Sequence, residues 1–95
     1  MFALAVRFDL PDSVAAAEFD QLVASAVPGI QAEEAGTLVY TPHRIDGAPL
    51  ARLFYEVYAD RAAHRAHEAR PATVAFLGRV RELVSSVRVE MLDPA

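Results

Sequence analysis

Residues 2–10 alternate, with Phe2, Leu4, Val6, Phe8 and Leu10 on one side and Ala3, Ala5, Arg7 and Asp9 on the other. A period of two predicts a strand with one buried face, and Pro11 ends it. The period then lengthens. Asp12 or Ser13 can accept from the free N–H groups at a helix start, and Ala15, Phe19, Leu22, Val23 and Ala26 recur at helical spacing. Val27, Pro28 and Gly29 are expected to close that helix, leaving residues 30–36 as a polar passage. Residues 37–45, "TLVYTPHRI", are rich in β-formers, "IDGAP" supplies a turn, and "LARLFYEVYA" resumes the strand pattern. Pro42 predicts that the first strand of this hairpin is bent or lies at an edge. Asp60 can cap a short helix and Pro71 suits the first turn of another, whose buried stripe is Thr73, Phe76, Leu77, Val80 and Leu83. Val87, Val89 and Met91 mark a last strand.

The order is β-α-β-β-α-β, with the second helical region broken near Arg70 and Pro71. This is an α+β, ferredoxin-like arrangement, an antiparallel sheet with helices on one face and a bare second face. One domain over residues 1–95 is expected. A chain of 95 residues buries only roughly 60–65% of its unfolded surface, yet 54% of the residues are hydrophobic and 23% charged. The excess of apolar surface and the bare sheet face both point to a homodimer.

The net charge is −4 and there is no lysine, so the nine positive charges are single, scattered arginines. That argues against a nucleic-acid partner. Without cysteine there is no disulfide, thiolate nucleophile or sulfur metal site. The N-terminal stretch has neither a basic leader nor a cleavage signal, and no segment approaches a membrane span; a cytoplasmic protein with no membrane partner is expected. The four glycines are isolated, with no phosphate loop or dinucleotide fingerprint.

Two residue types carry candidate chemistry. Glu56 shares a strand face with Arg52, Phe54 and Tyr58, so it is either one half of an ion pair with an arginine or a carboxylate whose apolar neighbours raise its proton affinity toward that of a base. His64 and His67 lie three apart on the short helix. If Ala59, Ala62, Ala63, Ala66 and Ala69 form its buried face, His67 falls at the edge of that face and His64 is nearly opposite, toward solvent. His67 is therefore the better pocket candidate. A metal site drawing on His43, His64, His67 and carboxylates would need ligands from distant segments.

The stretches "AEEAGTLVY" (32–40), "RLFYEVYAD" (52–60), "AAHRAH" (62–67) and "RPATVAFL" (70–77) together resemble the antibiotic biosynthesis monooxygenase domain family, which includes quinol and anthrone oxygenases. The matching positions are Glu34, Gly36, Thr37, Tyr40, Glu56, Asp60, His67, Pro71, Phe76 and Leu77. The resemblance implies a dimeric α+β barrel. It also implies chemistry that in several members needs no flavin, haem or metal: a phenol or anthrone is deprotonated, passes an electron to O₂, and is oxidised in a water-excluding pocket. Alanine at position 35 replaces a common proline. The chain also lacks the tryptophan and asparagine used by polyketide oxygenases and by the haem-degrading branch of the superfamily, which disfavours haem degradation.

The leading expectation is thus a cofactor-independent monooxygenase acting with O₂ on a small aromatic quinol, phenol or anthrone. Glu56 and His67 would be catalytic and hydrogen-bonded to each other, and Tyr40, Phe54, Tyr58 and Phe76 would bind substrate. The hairpin register, which the turn does not fix, decides whether Tyr40 joins them. The alternatives are an isomerase or tautomerase of an enolisable metabolite, active without oxygen, and a non-catalytic ligand-binding dimer.

Overall fold

A computed structural model describes all 95 residues. The elements run β1 (Phe2–Asp9), α1 (Ser13–Glu33), β2 (Thr37–Ile45), β3 (Ala48–Tyr58), α2 (Arg61–Ala69), α3 (Pro71–Leu83) and β4 (Ser86–Leu92). The four strands form one antiparallel sheet in the order β2-β3-β1-β4, and the helices lie across one face, as the α+β ferredoxin-like expectation requires. The alternation in β1 is realised: Phe2, Leu4, Val6 and Phe8 are buried under the helices. Asp12 caps α1 by accepting from the Ala15 N–H at 2.8 Å, and Asp60 caps α2 through Ala63 at the same distance.

α1 does not stop at Gly29. It runs on to Glu33, 21 residues in all, with Pro28 inside it. A mid-helix proline costs about 3 kcal/mol, but carrying the helix onward buries Val27 and Ile30, about 1.5–3 kcal/mol each. Pro28 itself sits on the exposed side, so the carbonyl it leaves unpaired faces water. The extension delivers Glu33 and Glu34 to the C-terminal end of the helix, where acidic side chains oppose the helix dipole. Arg70, at the α2–α3 break, meets both carboxylates at 2.5 Å.

The hairpin register is set by a bulge. Thr37 pairs with Tyr58 but Val39 pairs with Val57, so Leu38 is the extra residue, and from there Tyr40 stands opposite Glu56. Directly opposed residues share a face. Tyr40, Glu56, Leu4 and Met91 therefore form one rung across all four strands on the helix side. β2 is an edge strand, which accommodates Pro42.

The alanine face expected for α2 is corrected. Ala62, Ala66 and Ala69 are exposed, and Ala63, His64 and His67 turn inward. An alanine side chain offers little apolar area, so the two imidazole rings, with more surface to bury, set the orientation of this nine-residue helix. It passes close to Gly36, just before β2, where an added Cβ would lie 2.6 Å from the Ala63 Cβ.

Candidate active site

Glu56 is only 5% exposed, yet no cation touches it. The ion pair that β3 suggested is absent, because Arg52 is drawn to Asp20 on α1 at 2.9 Å and to the carbonyls of Pro49 and Ala51. The contact Glu56 does make is with Tyr58, whose hydroxyl donates to Oε1 at 2.5 Å. Burial pushes the Glu56 carboxyl up to about 7; the Tyr58 bond opposes the rise, and the negative charges of Glu68 and Glu34 add to it. A carboxylate in this state exchanges protons near neutral pH.

His67 lies over the same part of the sheet but does not bond to Glu56 as expected. Its Nδ1 is 2.7 Å from Oε1 of Glu34. Desolvation raises the proton affinity of Glu34, but hydrogen bonds from Thr37, Arg70 and His67 outweigh it and hold the carboxyl below its ordinary value. Glu34 is thus an ionised acceptor, and the proton on the His67 ring is fixed at Nδ1, leaving Nε2 as the second nitrogen. The ring packs against Tyr40 and Tyr58, with centroids 5.1 and 5.5 Å away. Tyr40 is raised by burial and by Glu56 and Glu34, so its hydroxyl remains a donor.

These groups border a cavity of about 310 Å³ between the sheet and α2–α3. Glu56, Tyr40, His64 and His67 lie at one end, and Leu4, Val6, Phe8, Leu77, Val80, Val87, Val89 and Met91 supply an apolar body. The structure thus brings Glu56, His67 and Tyr40 to one cavity. Tyr58 is fully buried and reaches it through Glu56. Phe54 and Phe76, expected as substrate contacts, instead sit in the core, Phe54 with its ring T-shaped against Tyr40 at 5.7 Å. Being wholly covered by α1 and the sheet, Phe54 supports the wall from behind.

His64 is also corrected: it faces inward, its ring 4.9 Å from Tyr58 and 5.3 Å from Phe2, and burial lowers its proton affinity. His43 is exposed on the side of β2 away from Tyr40, so the three histidines do not converge. No group of three histidine or acidic side chains is placed to hold a metal ion. The residue that reading the sequence passed over is Glu34. It lies beyond the point where α1 was expected to end, and its one signal was its place in the "AEEAGT" stretch.

The antibiotic biosynthesis monooxygenase family model matches residues 1–79. The chain belongs to this family. Among solved structures of this fold, a Caulobacter crescentus protein named for the same family is 21% identical, with a TM-score of 0.91 over 99% of this chain and 89% of its own. Rv0793 of Mycobacterium tuberculosis is 24% identical, with a TM-score of 0.88 over 99% and 94% of the two chains. A third structure, of an antibiotic biosynthesis monooxygenase, is 19% identical, with a TM-score of 0.91 over 100% of this chain and 99% of its own. No protein of curated function matches. No helix is long and apolar enough to cross a membrane.

Proposed function

We propose that this family member is a cofactor-independent monooxygenase that oxidises a small phenol, quinol or anthrone with O₂, working as a single-domain cytoplasmic homodimer. The observation that carries the reading is a buried, cation-free Glu56, with its carboxyl near 7, in an apolar cavity shared with an oriented His67. Glu56 takes the substrate proton, the hydroxyl of Tyr40 donates to the oxygen on which negative charge develops, and the Nε2 lone pair of His67 accepts from a substrate hydroxyl. The carbanion or enolate passes one electron to O₂; the resulting radical and superoxide combine, a proton is added, and the hydroperoxide loses water. For an anthrone the sum is substrate plus O₂ giving quinone plus water, with no further reductant.

The dimer is supported by the bare sheet face. Val39, Leu53, Tyr55, Ala3 and Ala5 lie there without helices over them, and Tyr55 is 41% exposed. The test is O₂ consumption with anthrone as substrate and purified protein in the presence of a chelator. Quinone formation in step with O₂ uptake supports the reading. Equal turnover of an enolisable substrate under nitrogen would replace it with a tautomerase.

A further inference from the structure

The cavity has a chemical direction. Leu4, opposite Glu56, and Phe8, opposite Arg52, are four residues apart on β1, which is about 13 Å of strand. The Leu4 end holds Glu56, His67 and, from α2, Glu68. The Phe8 end is bordered by α3, where Leu77, Val80 and the solvent-exposed Arg81 recur at i, i+3 and i+4 and all line the cavity. Arg81 belongs to this end because four residues later the Ser85 N–H donates to the Asp9 carbonyl at 2.8 Å.

Arg81 also stands apart from the other arginines. Of the nine, Arg7, Arg44, Arg52, Arg70, Arg79 and Arg88 each have a carboxylate partner. Arg61 lies 4.3 Å over the Phe2 ring. Arg65 and Arg81 have no ion pair, and of those two only Arg81 borders the cavity. A cation at one end, carboxylates at the other and apolar side chains between them complement a molecule with a negative group at one end and a neutral hydroxyl at the other.

We propose that the cavity takes a fused-ring aromatic acid, with Arg81 binding the substrate carboxylate while the reacting hydroxyl lies against Glu56 and His67. This rests on the same cavity being the substrate site. The volume of about 310 Å³ suits two or three rings, being at the small end of ligand pockets. The guanidinium fork can take a carboxylate through two parallel hydrogen bonds. Glu68 and Glu56 repel the reverse orientation.

The test is a fluorescence titration of the full chain with 6-hydroxy-2-naphthoate and with 2-naphthol, which differ only in the carboxylate. Wild type is expected to bind the naphthoate about five- to tenfold more tightly, the range left to a charged hydrogen bond near solvent, and the preference should shrink in high salt. Arg81→Gln should abolish the preference and leave 2-naphthol affinity unchanged, Arg81→Lys should keep part of it, and Arg65→Gln should keep all of it. Equal affinities in wild type, a preference that survives in Arg81→Gln, or binding of neither compound would overturn the proposal. Because the titration reads binding alone, a naphthoate preference without any O₂ uptake would retain the anion site and remove the oxygenase reading.

Discussion

Glu34 and His67, 33 positions apart in the chain, meet at 2.7 Å at the end of α1, and this contact decides which imidazole nitrogen carries a proton. Glu34→Gln keeps the shape but can offer Nδ1 an N–H in place of an oxygen, which favours the other tautomer. Turnover should fall at least about tenfold. The nitrogen shifts of the His67 ring, read by NMR, should move from an Nδ1–H to an Nε2–H pattern; unchanged shifts would separate the loss of rate from the tautomer.

With Glu56 as the proposed base, its carboxyl gives the rate a pH dependence. Turnover should rise with pH through about 7 and level off above it, and Glu56→Gln should be slow throughout. Stability runs the other way. The ordinary value is 4.5 and the folded value about 7, so the folded state holds the proton more tightly. Its stabilisation is full below about 4.5 and is lost as pH rises through about 7. Urea midpoints should show wild type losing on the order of 3 kcal/mol relative to Glu56→Gln between pH 4.5 and 8.

Tyr58→Phe removes the hydroxyl that donates to Glu56. That bond favours the charged carboxylate, so its loss should push the midpoint of the pH–rate profile upward with the core still filled. A midpoint that stays in place or moves down would mean that another group sets the profile.

Gly36→Ala places a methyl 2.6 Å from the Ala63 Cβ, and the overlap is with a short, rigid side chain. It should destabilise the protein by about 1–3 kcal/mol and shift α2 off β2, slowing turnover with it. Adding Ala63→Gly should restore much of both, as judged by thermal unfolding and rate; no recovery in the double variant would place the damage elsewhere.

Strand periodicity and both aspartate caps were legible from the residues, because alternation and N-cap chemistry are local. Two features were not local. The continuation of α1 past Pro28 depends on what Val27 and Ile30 pack against, so Glu34 was read as part of a polar passage rather than as a helix end. The orientation of α2 depends on where its imidazoles fit, and an alanine count pointed it the wrong way and hid His64; the expected Glu56–His67 bond fails because Glu34, at the unforeseen end of α1, takes the Nδ1 of His67. Glu56 was singled out as a candidate, since a carboxylate among Phe54, Tyr58 and their neighbours is conspicuous on any strand, and it does line the cavity. The bulge at Leu38, which puts Tyr40 beside it, leaves no mark in the turn sequence.

α2 has nine residues and one fully buried side chain, His67. A helix of that length does not persist alone in water, so its order is borrowed from the Asp60 cap and from the hold of Glu34 on the His67 ring. The segment carrying the imidazole thus has few apolar contacts to break when it opens locally, and a ligand that fills the cavity lengthens the lifetime of the closed helix. Amide exchange would register occupancy of the site in α2 before anywhere in the sheet.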